Sequence, residues 1–167
     1  MKKIGLLSDT HGFVHPRVKN FLKDCDEIWH AGDIGNLSVT DELEELAKVR
    51  AVYGNIDNHH VRSHWPEDAI FAVEGLKIYM THIGGYPGRY NPRARQLIDL
   101  HLPSIFISGH SHILKVMPDK KRKILHINPG AAGQSGLHKS ITCIRFILDN
   151  GKIDDLEVFD LDRKQRT

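Results

Sequence analysis

Apolar runs along this chain are short, and the polar breaks between them hold its unusual residues. Lys2 to Ser8 reads as a buried first strand, Glu27 to Ala31 as a second and Val49 to Tyr53 as a third. Pro16 to Lys23 reads as a short helix between the first two. Thr40 to Ala47 sets Leu43 and Leu46 at helical spacing, with Thr40 as the expected N-cap. This strand–helix alternation predicts a parallel or mixed sheet covered by helices.

The second half has a different texture. Ala69 to Val73 and Lys77 to Thr81 flank Glu74-Gly75-Leu76 as a hairpin. Arg93 to His101 reads as a helix, and Ile105 to Ser108 and Lys123 to Ile127 as strands. Thr142 to Leu148 and Lys152 to Phe159 form a second hairpin around Asp149-Asn150-Gly151, since Asn-Gly between alternating apolar runs is a strong turn signal. The charged tail, Asp162 to Thr167, is expected to fray. With no repeat, low-complexity stretch or linker, residues 1–167 are expected to form one domain of two packed sheets with helices outside. Such open sheets bind ligands at the carboxyl ends of their strands.

Composition narrows the class. A chain of 167 residues, 40% hydrophobic and 26% charged, can bury a core without disulfides or a structural metal, so a metal here would be functional. The balance of 23 basic against 21 acidic side chains, net +2, argues against a dedicated nucleic-acid binder. Cys25 and Cys143 stand far apart in no metal spacing, which suits free thiols in a reducing cytoplasm. Ile4 to Leu7 is too short for a signal core, and no stretch approaches the ~20 apolar residues that span a bilayer. The 12 histidines are dense, and histidine is the commonest metal ligand.

Five polar clusters follow predicted strands. Asp9-Thr10-His11-Gly12 comes first; if extended, Asp9 and His11 point to one side and can reach one ion. Alone, the cluster reads more readily as Asp9 forming an Asx-turn and His11 lying exposed in a loop. Asp33 closes His30-Ala31-Gly32-Asp33, where it could bridge two cations or make a simple turn, and His30 reads as a supporting residue. Asn55 follows Gly54 as a neutral oxygen ligand or a turn residue. His82 ends a strand before a glycine-rich run, and His110 and His112 converge after Ile107 in a way that packing alone explains poorly. Together they supply seven ligands, more than the three or four that one zinc ion takes from a protein. They suit two ions ~3.5–4 Å apart sharing Asp33.

This ordered series resembles the calcineurin-like metallophosphoesterases, and more narrowly the small phosphodiesterases of the YfcE type, from Asp9 to Asn128-Pro129-Gly130. The resemblance implies a four-layer α/β/β/α sandwich of two mixed β-sheets flanked by helices. It implies that Asp9, His11 and His112 hold one divalent ion, that Asn55, His82 and His110 hold another, and that Asp33 bridges them. Asp33, Asn55 and His82 form the expected catalytic core, and Asn128-Pro129-Gly130 is expected to support it. Manganese is the favoured metal, with iron, zinc and nickel as alternatives. Two positions depart from the family pattern. Ile56 stands where classical members carry a histidine and the YfcE-type relatives often a cysteine, and Gly84 where a second histidine often follows the strand-end one. Asp57, His59 and His60 are then the nearby candidates for a leaving-group acid or substrate contact, and Arg89 and Arg93 for a phosphate grip.

The expected reaction is hydrolysis of a small phosphodiester by hydroxide formed between the two ions. Three rivals stand against it: a non-catalytic binding scaffold on the same fold, similar to the retromer subunit Vps29; a phosphomonoesterase, disfavoured by Ile56; and a DNA repair nuclease, disfavoured by size and charge balance. A homo-oligomer is plausible from the family, and no membrane partner is expected.

Overall fold

Ile4 and Leu6 point to one side of the first strand and Leu7 to the other, and all three are fully buried. A strand buried on both faces must lie between two covering layers. In the computed structural model, which describes residues 1–164, β1 (Lys2–Leu7), β2 (Glu27–His30) and β3 (Lys48–Ala51) alternate with α1 (Pro16–Leu22), α2 (Leu37–Glu44) and α3 (His59–His64). There follow β4 (Asp68–Val73), β5 (Leu76–Thr81), the two-residue strands β6 (Gly85–Tyr86) and β7 (Arg89–Tyr90), and α4 (Pro92–His101). The chain closes with β8 (Ile105–Ile107), β9 (Leu114–Asp119), β10 (Ile124–Pro129), β11 (Ser140–Asp149) and β12 (Lys152–Asp162).

One sheet has the order β12-β11-β1-β2-β3, with β1, β2 and β3 parallel and β11 and β12 antiparallel. The other has the order β4-β5-β8-β10-β9, with β5, β8 and β10 parallel between antiparallel edges. Ile4, Leu6, Trp29, Ile78, Met80 and Ile107 fill the space between the sheets. Each such side chain contributes about 1.5–3 kcal/mol on burial. Val18, Leu22, Val39 and Leu43 seat α1 and α2 on the first sheet, and Ala94 and Ile98 seat α4 against Tyr79 and Phe106 on the second. The result is the four-layer α/β/β/α sandwich that the family resemblance implies, and the two packed sheets that the pattern predicts. Asn150 at φ 46° and Gly151 at φ 79° make the two-residue turn expected between β11 and β12.

Several expectations are corrected. Thr40 does not cap α2; Asn36 does, accepting from the Ser38 N–H at 2.9 Å, while the Thr40 hydroxyl turns back onto the Leu37 carbonyl at 3.0 Å. The segment holding His59 and His60 is the short helix α3, capped by Asn58, too brief for a periodic signal. β9 went unpredicted because Pro118 reads against a strand; β9 is an edge strand, where proline is tolerated. Asp162, expected to fray, pairs with Ser140, and the Arg163 N–H donates to the Lys139 carbonyl at 3.0 Å. The rest of that expected frayed tail, 165–167, lies outside the described residues.

Candidate metal centre

Asp9, Asp33 and Asn55 follow the parallel strands β1, β2 and β3 of the first sheet, and His82 and His110 follow β5 and β8 of the second. The parallel strands of both sheets end on the same side of the molecule, so the seven expected ligands meet there. Two groups form. Asp9, His11 and His112 offer ligand atoms within 4.8 Å of one another, and so do Asp33, His82 and His110. Asn55 joins the second group, its Oδ1 3.0 Å from His110 Nδ1. Asp33 faces both groups: Oδ2 is 3.6 Å from His11 Nε2 and Oδ1 is 3.3 Å from His82 Nε2.

The backbone reaches this arrangement through conformations that L-residues avoid. Asp9, His11, Asp33, His110 and His112 all have φ between 48° and 69°. Asp9 and His11 therefore do not converge as alternate residues of an extended strand, which corrects the sequence expectation. Each left-handed residue costs about 1–2 kcal/mol, and such strain gathers where function needs a particular side-chain direction. Inter-loop hydrogen bonds hold it: the Asp9 N–H donates to the Gly32 carbonyl at 2.9 Å, His11 to Asp33 at 3.0 Å and Gly12 to Ile34 at 2.8 Å. Two glycines allow the loops to close up. A Cβ on Gly54 would lie 2.1 Å from Asp33 Oδ1, and one on Gly109 would lie 2.2 Å from Ser8 Oγ. The residue before each of these ligands must therefore lack a side chain.

Hydrogen bonds around the ligands assign their free lone pairs. Ser8 Oγ–H and the His110 N–H both donate to Asp9 Oδ2, at 2.6 and 3.1 Å, leaving Oδ1 for the centre. His82 Nδ1–H donates to the Ala31 carbonyl at 2.8 Å, so Nε2 is the nitrogen turned toward the centre. His138 Nε2–H donates to the Gly133 carbonyl at 2.8 Å; its Nδ1 then accepts from His112 Nδ1–H at 3.1 Å, and His112 Nε2 is left facing Asp9 Oδ1 at 3.0 Å. Burial lowers the His138 pKa, which keeps that ring neutral. Asp9 Oδ1, His11 Nε2 and His82 Nε2 are buried without a hydrogen-bond partner among the described residues. Burial also opposes charge on Asp33 and His82, yet their contact outweighs it, holding the carboxyl below and the imidazole above their ordinary values. Carboxylate oxygens and ring nitrogens crowded this closely call for positive charge between them, from a proton on His82 or from a bound cation. A donor set of carboxylate, imidazole and amide oxygen fits a divalent transition ion.

The supporting residues are equally specific. The Gly32 N–H donates to His30 Nδ1 at 3.1 Å, so Nε2–H donates to Thr10 Oγ1 at 2.9 Å, and Thr10 donates to the Ile34 carbonyl at 2.9 Å. Burial pushes His30 down to about 4, so this neutral ring locks the Asp9 and Asp33 loops together. Asn128 Nδ2 donates to the Gly109 carbonyl at 3.0 Å and to Ser111 Oγ at 3.1 Å, and its Oδ1 accepts from the Gly130 N–H at 3.0 Å, bracing the His110 loop.

Other candidates lie elsewhere. Asp57 is 3% exposed and accepts from the backbone N–H groups of Ile34, Gly35 and Gly54 at 3.1, 2.7 and 2.7 Å. Both its oxygens accept from backbone donors, so Asp57 braces the loops after β2 and β3. His59 and His60 sit exposed on α3. Arg89 is exposed on β7. Arg93 lines a cleft beside Asn55 and His82, but its guanidinium is paired with Asp68 and with Glu67 at 3.4 Å. Arg62, which no sequence pattern flags, lines the same cleft and donates to the Asp57 and Asn55 carbonyls at 2.6 and 3.2 Å. His138 is likewise missed, as a lone histidine in a loop with no ligand spacing.

Residues 1–151 match the calcineurin-like phosphoesterase superfamily domain, and the chain belongs to that family. It is 31% identical over 136 residues to a probable metallophosphoesterase of Methanothermobacter thermautotrophicus, covering 77% of this chain and 76% of the relative. In fold it is similar to an archaeal phosphodiesterase, with a TM-score of 0.75 and 24% identity over 95% of this chain and 99% of the other. It is also similar in fold to Vps29 of Chaetomium thermophilum, with a TM-score of 0.75 and 12% identity over 96% and 97% of the two chains. The family is one of metal-dependent phosphoesterases, which accords with the donor set. No helix among the described residues is long and apolar enough to cross a membrane.

Proposed function

We propose that the protein hydrolyses phosphodiesters at a centre of two divalent ions, with manganese favoured over iron, zinc and nickel. Asp9, His11 and His112 would hold one ion, Asn55, His82 and His110 the other, with Asp33 between. The observation that carries this reading is the pair of triads facing opposite oxygens of Asp33. When bound, such ions acidify water and offset charge on phosphoryl oxygens. The chain's own contribution is to hold that charge in place: Asp9 and Asp33 are kept anionic, and the Nδ1–H bond to the Ala31 carbonyl aims His82 Nε2 at the centre. Arg62 adds positive charge at the cleft beside Asn55.

Ile56 argues for diesters. Its backbone N–H donates to Asp33 Oδ1 at 3.1 Å, and its side chain, 46% exposed, has no proton to give. General acid catalysis contributes typically ~10²–10⁴-fold, and without it an alkoxide leaves poorly from a monoester. An aryl diester has a better leaving group and one less negative charge.

The binding-scaffold reading draws on the likeness in fold to Vps29. One assay separates the two: turnover of bis(4-nitrophenyl) phosphate and of alkyl monoesters by purified protein with each of the four metals. Manganese-dependent diester cleavage is expected, abolished by Asp33→Ala and reduced less by Asn55→Ala. A folded Asp33→Ala protein with wild-type rates, or no turnover with any metal, refutes the proposal.

A further inference from the structure

Two clefts flank the second ligand group and meet at Ile83. One, of about 220 Å³, is polar, with Asn55, Arg62, Glu67, His82 and Arg93 in its walls. The other, of about 170 Å³, runs past His110 and is walled by Ile83, Tyr86, Ile113, Lys115 and His126.

The second cleft is unusual for its place beside a charged centre. Ile83 and Ile113 each directly follow an expected ligand, His82 and His112. They are 41% and 62% exposed, and Tyr86 is 37% exposed. Apolar surface next to a hydrated, charged site gains free energy only when something apolar covers it. The cleft has room: a cavity of ~150 Å³ accommodates benzene, so about 170 Å³ suits one six-membered ring. Gly84 lets the cleft floor pack directly on the core, because a Cβ there would lie 2.4 Å from Phe106 Cζ. Lys115 Nζ rests 3.9 Å from the centroid of the Tyr86 ring, so the wall carries a positive charge suited to a diester monoanion. His126 is 1% exposed, and its Nδ1 has no hydrogen-bond partner among the described residues, which provides one polar group in the wall.

We propose that this cleft is the subsite for an aromatic ester arm. A phosphodiester seated at the seven ligands has two substituents, and the site has two clefts. A single aromatic ring lies against Ile83, Tyr86 and Ile113, and the other substituent occupies the polar cleft with Arg62. The inference rests on the phosphodiesterase reading and narrows its substrate class to diesters with at least one planar ring.

Calorimetric titration of the manganese-loaded protein with diphenyl phosphate and with dimethyl phosphate tests it. Diphenyl phosphate is expected to bind at least tenfold tighter. Tyr86→Ala and Ile113→Ser should each cut that preference several-fold while keeping the thermal midpoint and manganese stoichiometry of the wild type. Equal affinity for the two probes, or a preference that both variants retain, overturns the subsite. Phenyl preference lost in the variants, in a protein that cleaves no phosphoester, supports the subsite and refutes the hydrolase reading. Diester cleavage without phenyl preference does the reverse.

Discussion

At the scale of single residues, the centre depends on which nitrogen of each imidazole carries the proton. His138 sets this for His112 by accepting its Nδ1–H at 3.1 Å, while its own Nε2–H is spent on the Gly133 carbonyl. Removing that acceptor frees His112 to rotate or to place its proton on Nε2, where it would block a metal. Loss of a hydrogen-bond partner behind a ligating histidine typically weakens metal binding ~10–100-fold. His138→Ala is therefore expected to lose manganese affinity in that range by calorimetry, with His138→Gln, which keeps an acceptor, recovering part of it. Unchanged affinity in His138→Ala would show that His112 is oriented by packing alone. The candidate ligands were legible in the sequence because strand ends display them in order. His138 was not, because the loop that carries it meets His112 only after folding.

Among elements, the loops after β2 and β3 are joined through Asp57. Its carboxylate accepts from Ile34, Gly35 and Gly54, and Arg62 of α3 donates to its carbonyl. Asp57→Ala would strand three backbone donors, two of them in buried residues. A buried donor left without a partner costs about 1–3 kcal/mol, so the variant is expected to lose several kcal/mol by urea unfolding and to bind metal weakly. Asp57→Asn keeps an acceptor and should lose less. An Asp57→Asn protein of normal stability and metal content but no turnover would instead make Asp57 the leaving-group acid. Sequence proximity to Ile56 suggested that acid role; the backbone turn that buries Asp57 and engages its carboxylate is visible only in the folded chain.

On the whole-molecule scale, an ionic cluster lies in the first sheet, apart from the ligand loops. Glu27 of β2 is bonded by Lys2 of β1 at 2.8 Å, Arg50 of β3 at 2.8 Å and Trp29 Nε1 at 3.1 Å. Arg50 also stacks 4.5 Å from the Phe71 ring, and Trp29 meets Phe71 edge-on at 5.0 Å, so the cluster ties the two sheets together. Burial opposes the Glu27 charge, but Arg50, Lys2 and Trp29 overcome it and hold the pKa down to about 2. A carboxyl whose folded pKa is depressed stabilises fully above its ordinary value of 4.5, and that stability drains away as pH falls toward 2. The contribution is on the order of 3 kcal/mol. Wild type should exceed Glu27→Gln in unfolding free energy by a few kcal/mol at pH 7, and the gap should narrow steadily below pH 4.5. A gap independent of pH would mean that the glutamine loses packing rather than charge.

Local rules were enough to determine most of the strands but not β6, β7 or β9, along with the Asn150-Gly151 hairpin and the order of the expected ligand motifs, because alternation, turn chemistry and short-range spacing are properties of neighbouring residues. They also showed that Ile56 cannot donate a proton. What only the tertiary structure decided is how those motifs meet: the left-handed turns at five of the candidate ligands, the glycine contacts that let the loops approach, the capture of Asp57 by three backbone donors, and the apolar cleft between Tyr86 and Ile113. Each of these depends on atoms brought together from distant parts of the chain, and free energies of contact between distant segments leave no periodic trace in a sequence.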